Sequence, residues 1–187
     1  MASSITAQEE THMVMATTQS NRLEERFRLW DRNGNGVIER ADFDREADEI
    51  IARLGAQGTA KADKLKQAYL GMFDTLSAAA GTDRMSRAQF IDAADQEIIG
   101  RGDAGFAAVV GPTIEAIVDV LDRSGDGEIS PSEMHGWFAA IGLDGQAADR
   151  AFRDLDTDGS GKLSVAELVD AVRDYHLGRN DIPLLGR

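Results

Sequence analysis

Apolar residues recur along this chain in steps of three and four, interrupted by short polar stretches rich in Asp, Asn, Ser and Gly. Leu23/Arg26/Phe27/Trp30, Leu65/Ala68/Tyr69/Met72, Ile114/Ile117/Val118/Leu121 and Ala148/Ala151/Phe152/Leu155 each follow i, i+3, i+4, i+7. Met134/Trp137/Phe138/Ile141 and Leu168/Ala171/Val172/Tyr175 do the same, while Phe43/Ala47/Ile50/Leu54 and Phe90/Ala93/Ala94/Ile98 are close variants. Such a period lines one face of a helix, and that face needs a core to pack against. The pattern predicts eight amphipathic helices in four pairs, an all-α architecture.

Three of the polar interruptions are versions of one phrase. Asp31 to Asp42 reads DRNGNGVIERAD, Asp122 to Glu133 reads DRSGDGEISPSE, and Asp156 to Glu167 reads DTDGSGKLSVAE. Each opens on Asp and places Asp, Asn or Ser at alternate positions. Each then has Gly at the sixth place, an aliphatic at the eighth and an acid at the twelfth. This is the spacing of an EF-hand calcium loop.

The spacing encodes a coordination sphere. Ca²⁺ is a hard cation that takes about 6–8 oxygen ligands. The candidate set in the first loop is Asp31, Asn33, Asn35, Val37, Glu39 and Asp42. In the third it is Asp122, Ser124, Asp126, Glu128, Ser130 and Glu133, and in the fourth Asp156, Asp158, Ser160, Lys162, Ser164 and Glu167. The seventh place (Val37, Glu128, Lys162) serves through its backbone carbonyl, the ninth often through a water, and the twelfth with both carboxylate oxygens. Gly36, Gly127 and Gly161 permit the sharp turn at the sixth place. Ile38, Ile129 and Leu163 predict short antiparallel strand pairing between neighbouring loops.

A helix start explains part of this pattern. Ser130-x-x-Glu133 and Ser164-x-x-Glu167 are capping boxes, in which Ser caps a helix and Glu reaches back. Capping does not explain Asp122, Ser124, Asp126 and Gly127, or their counterparts, at fixed offsets upstream. A further, degenerate copy spans Ala78 to Gln89 with Met85 at the eighth place. Ala78 and Ala80 stand where oxygens are needed, and Asp83 replaces the turn glycine, but Ser86-x-x-Gln89 keeps the capping box. It predicts a metal-free partner for the first loop.

Composition narrows the classes. A net charge of −13 and a pI near 4.6 argue against nucleic acid as a partner, since phosphate binding takes clustered Lys and Arg. Three Ca²⁺ ions would bring that charge to −7, relieving repulsion among the loop acids. No apolar run approaches the roughly 20 residues of a membrane span. Met1 to Gln19 shows no signal-peptide pattern and reads as a polar, loose arm, which makes the cytoplasm the expected compartment. His12, His135 and His176 are scattered, no Ser or Cys nucleophile sits in an elbow or triad, and the chain does not read as an enzyme.

Repeat spacing sets the organisation: a flexible arm over 1–19, an N-terminal lobe over 20–102 and a C-terminal lobe over 103–187. The joint from Gly100 to Gly105 is too short and glycine-rich for a long rigid helix, so the lobes are expected to fold against each other. Pro112 either opens or kinks the fifth helix. After Tyr175, the tail residues Ile182, Leu184 and Leu185 either plug a groove from within or fray.

The stretches Arg26 to Phe43, Val109 to Ser130 and Ala171 to Gly186, with the degenerate second loop, carry a resemblance to the calerythrin-type, bacterial branch of the sarcoplasmic calcium-binding proteins. It spans nearly the whole chain after the arm. The resemblance implies a two-lobed protein with sites one, three and four filled and a calcium-buffering role. Site one departs from the common pattern, because Asp42 replaces Glu at the twelfth place and Asn33 and Asn35 are neutral. Its shorter carboxylate should tolerate Mg²⁺ better.

A calcium sensor is the alternative, since sensors open and expose a Met-rich groove whereas buffers barely open. Methionines in the helices are few: Met72, Met85 and Met134. The expectation is a monomeric calcium buffer with no identifiable target protein.

Overall fold

The computed structural model describes residues 7–141, 143, 145–182 and 184, with side chains from residue 18 onward except Ala140. The helices are α1 (Ala7–Trp30), α2 (Arg40–Arg53), α3 (Ala60–Ala80), α4 (Arg87–Ala94), α5 (Gly102–Gly105), α6 (Gly111–Leu121), α7 (Pro131–Ala140), α8 (Gly145–Leu155) and α9 (Val165–His176). Two strands, β1 (Val37–Glu39) and β2 (Arg84–Ser86), pair antiparallel with Ile38 opposite Met85. Ile129 and Leu163 form the matching bridge between the third and fourth loops. The fold is all-α with four helix–loop–helix units: α1–α2, α3–α4, α6–α7 and α8–α9.

Local sequence sets the helix ends. Thr59 caps α3 by accepting the Ala62 N–H, and capping boxes open α4, α7 and α9 at Ser86, Ser130 and Ser164. Each box satisfies amide groups that the first turn of a helix leaves unpaired. The stripes then face inward. In the first pair of units, Trp30 packs on Phe43 with ring centroids 4.5 Å apart and on Phe90 at 5.7 Å, and Phe43 meets Phe73 at 5.5 Å. In the second, Ile114, Ile117, Leu121, Met134, Trp137, Phe138 and Leu168 are buried. The halves meet where α3 packs on α6 and α1 on α9.

Four expectations change. Residues 1–6 lie outside the described chain, but Ala7 to Gln19 extend α1 as helix and do not form a loose arm. Polar helix formers such as Gln8, Glu9 and Glu10 carry it without an apolar stripe. Second, α3 continues through Ala80 and stops at Gly81, whose φ is 67°. The opening places of the degenerate loop are therefore helical turns, with Ala78 and Ala80 in them.

Third, the joint is mostly helical. α4 runs on as a π-helical turn over Asp95–Ile99; after Gly100 and Arg101, α5, a second π turn (Phe106–Val110) and α6 follow without a break. Pro112 thus sits within one helix from 102 to 121, just past the widened turn that accommodates its missing N–H. Gly105 is where the two arms of this joint touch: a Cβ there would collide with the carbonyl oxygens of Ile98 and Glu97. Fourth, Gly102–Leu121 is 20 residues long and apolar enough to cross a membrane, contrary to the expectation of no such run. Burial against α3, α7 and α9 accounts for its composition.

Candidate metal centres

Each of the three loops is organised first by its opening aspartate. Asp31 accepts the amides of Asn35 at 3.0 Å and Gly36 at 2.9 Å. Asp122 accepts those of Gly125 at 2.6 Å and Gly127 at 2.8 Å, and Asp156 those of Ser160 and Gly161, both at 2.9 Å. The turn needs a left-handed residue at the sixth place, and Gly36, Gly127 and Gly161 have φ of 81°, 83° and 82°. Only glycine adopts this without a Cβ penalty.

The twelfth place closes the loop. Glu167 Oε1 accepts from Thr157 N at 2.9 Å while its Oε2 accepts from Ser164 N at 2.9 Å. Glu133 does the same, taking Arg123 N at 3.0 Å and Ser130 N at 2.9 Å. One carboxylate therefore ties the entrance of its loop to the exit. Hydrogen bonds from Ser130 hold Glu133 below the usual carboxylate range. Desolvation opposes the same shift at Glu167, where bonds from Ser164 and Thr157 prevail. The Gly127 amide lowers Asp122 likewise. These groups stay ionised, as a hard cation requires.

Among the described residues, the carboxylates of Asp156, Asp158 and Glu167 gather most closely, each offering an oxygen within 4.8 Å of the other two. Ser160 is bonded to the Lys162 carbonyl at 3.0 Å, so the fifth and seventh places also lie together. Hard oxygen donors converging in this way fit Ca²⁺, which they would hold as a charge-neutralising centre for the loop. Ser130 and Ser164 turn their hydroxyls to Glu133 and Glu167, at 2.6 Å and 2.9 Å, and serve as helix caps. In the third loop Ser124 bonds to Asp122 at 3.1 Å, and Asp126 is paired with Lys162 of the fourth loop at 2.5 Å.

The first loop is built differently at its close. Asp42 is fully buried, and its shorter side chain takes Glu39 N at 3.0 Å and the Asn33 amide at 3.1 Å. Desolvation pushes its pKa above the ordinary value. Asn35 meets Glu39 only at 3.5 Å, and its own Oδ1 accepts the Val37 amide at 3.0 Å.

The matches to known proteins agree with this geometry. The EF hand domain family matches residues 147–175, and an EF hand family matches 114–136. Calerythrin of Saccharopolyspora erythraea is 41% identical over 171 residues, covering 89% of this chain and 97% of that protein. The chain belongs to the calerythrin-like EF-hand proteins. A probable calcium-binding protein of Oryza sativa subsp. japonica is 30% identical over 161 residues, 78% of this chain and 75% of its own.

Among solved structures, a Streptomyces coelicolor calcium-binding protein described in terms of prokaryotic calcium-mediated regulation superposes with a TM-score of 0.69 at 28% identity. The match covers 85% of this chain and 98% of that one. Calcium-loaded apo-aequorin from Aequorea victoria, at 21% identity and a TM-score of 0.71, shares the fold, over 86% and 91% of the two chains.

This calerythrin-like chain also carries features that spacing did not reveal. Arg84 pairs with Glu39 and Lys162 with Asp126, each across a strand bridge. The only available signal was a basic residue beside an eighth-place aliphatic, too common to single out. Arg26 stood in the first apolar stripe and is buried, its guanidinium 5.5 Å from the Trp30 ring.

Proposed function

We propose that this EF-hand protein is a calcium buffer that takes up three ions, in the loops opening at Asp31, Asp122 and Asp156. The observation that carries the buffering reading is the seated tail. Leu184 is buried among Ile114, Ile117, Leu121, Met134, Trp137 and Leu168, and its carbonyl accepts the Trp137 indole N–H at 2.9 Å. Arg22 of α1 fastens the approach, donating to the Asn180 carbonyl at 2.7 Å and pairing with Asp181 at 2.7 Å. A groove filled from within offers nothing to a target helix, and a buffer needs none. Leu185 lies outside the described residues.

Two finer points belong to this reading. The first loop discriminates least between Ca²⁺ and Mg²⁺, because Asp42 lacks the reach of Glu133 and Glu167 and Mg²⁺ accepts a smaller oxygen sphere. The chain works as a monomer and has no catalytic role, its paired carboxylates being committed to loop closure.

Regulation of a target is the second reading, favoured by the likeness to the Streptomyces coelicolor protein of prokaryotic calcium-mediated regulation. Calcium titration in the presence of a hydrophobic dye separates the two. Buffering predicts three bound ions with little rise in dye fluorescence. Retention on a hydrophobic resin only in calcium, with a large dye signal, would establish the sensor instead.

A further inference from the structure

Two of the cations that face loop ligands arrive from the loop across the bridge, while Arg45, on the helix leaving the first loop, lies 3.5 Å from Asp42. Lys162 stands at the seventh place of the fourth loop, where its carbonyl serves its own site. Its ammonium reaches over to the third loop, 2.5 Å from Asp126 Oδ2 and 3.8 Å from Glu128 Oε2. The Ile129–Leu163 bridge sets this approach. The first pair of loops repeats the arrangement with other residues: Arg84 on β2 lies directly opposite Glu39 on β1 and forms an ion pair with it. Asp126 holds the fifth place of its loop and Glu39 the ninth. In the fourth loop, by contrast, Asp156, Asp158 and Glu167 form no ion pair among the described residues.

We infer that Lys162 and Arg84 are affinity-setting residues, each weakening calcium binding in the loop across the strand bridge, so that the fourth loop fills first. The inference rests on the calcium reading of these loops and concerns their ranking. An ion entering the third loop must share Asp126 with an ammonium already bonded to it and is repelled by that charge. Asp126 Oδ1 is also engaged, by the Glu128 amide at 3.1 Å.

Solvent limits the size of the effect, since the Lys162 and Arg84 side chains are 39% and 62% exposed. Exposed pairs are weak, and the effect on affinity is roughly a 1.4- to fivefold change. Being exposed, the pairs are screened by salt.

The test is a site-resolved titration of the full chain with Ca²⁺. The amide resonances of Gly36, Gly127 and Gly161 report on the first, third and fourth loops separately. Lys162→Met is expected to tighten the third site about 1.4- to fivefold, and Arg84→Met the first site by a similar factor. Both gains shrink in high salt, and the Lys162→Met gain falls to the part due to charge repulsion in an Asp126→Asn background. An unchanged or weakened third site in Lys162→Met overturns the inference, because the lysine would then be neutral or would be positioning Asp126. A Gly127 resonance that never responds to calcium in the parent protein overturns the calcium reading of that loop instead.

Discussion

The first and fourth loops follow one plan and differ in the residue that closes it. Glu167 spans its loop, holding Thr157 at the entrance and Ser164 at the exit. Asp42 is one methylene shorter. It reaches Glu39 and the Asn33 side chain, while the Arg32 amide at the entrance turns to the Trp30 carbonyl at 2.8 Å. Burial then makes ionised Asp42 costly, whereas the hydrogen bonds around Glu167 keep it charged. The length of one side chain thus separates a loop whose closing acid holds the backbone at both ends from one whose closing acid holds it at the exit alone. The pairing of loops widens the contrast, since the first loop leans on the degenerate copy and the fourth on the loop that opens at Asp122.

The largest effect should come from removing metal. Free Ca²⁺ at about 100 times the dissociation constant stabilises by roughly 2.7 kcal/mol per site, or about 8 kcal/mol for three independent sites. Most of a typical domain's stability, about 5–15 kcal/mol, is of that size. A thermal melt in chelator should fall far below the melt in calcium, with hydrogen exchange rising most around α7 to α9. Superimposable melts would remove the contrast altogether.

Leu184→Ala comes next. Emptying a buried leucine site costs about 2–5 kcal/mol, and the loss should appear in urea unfolding with new dye binding. The C-terminal units should respond and the aromatic cluster of the first units should not. A loss spread evenly over both would merge the two regions.

Acid tests what the halves share. His176 is buried on α9, bonded through Nδ1 to the Val172 carbonyl at 2.8 Å. Desolvation, assisted by Arg26, lowers its pKa from 6.5 to about 4. The neutral form is thus the folded form. Stability from this group is complete above pH 6.5 and is lost as pH falls toward about 4, at about 1.4 kcal/mol for each unit. His176→Phe should flatten the acid limb of the melting temperature measured in chelator; an unaltered limb would assign it to the loop acids.

Asp42→Glu is the smallest change and bears most closely on the contrast. Restoring the missing methylene should favour Ca²⁺ over Mg²⁺ in the first loop by about tenfold, near 1.4 kcal/mol. Competition titration reads this directly, and equal Mg²⁺ sensitivity before and after the substitution would show that the closing acid is not what distinguishes the loops.

Much of this was legible in the sequence because its rules are local. The stripe from Leu23 to Trp30 is buried, and placing Met85 at the eighth position of the degenerate loop predicts the Ile38–Met85 pairing that the strands adopt. What escaped depends on residues far apart in the chain. The helix from Ala7 to Gln19 carries no apolar stripe in its sequence, so periodicity gave no sign of it. The glycines around 100–105 read as a break, although Gly105 is there to let two helical arms touch. Lys162 and Arg84 acquire meaning only once strand pairing sets them opposite acids. The tail offered two readings, and only the packing around Leu184 selects the seated one.

The central claim is that the three oxygen-lined loops close on calcium and differ in how they close. Calorimetric titration of the metal-free protein with Ca²⁺, repeated in millimolar Mg²⁺, tests it most directly. The account predicts three equivalents, two little affected by Mg²⁺ and one displaced by it, with the displaced site assigned to the first loop by its loss in Asp42→Asn. A protein that takes up no Ca²⁺ at saturation, or three sites equally sensitive to Mg²⁺, would contradict it.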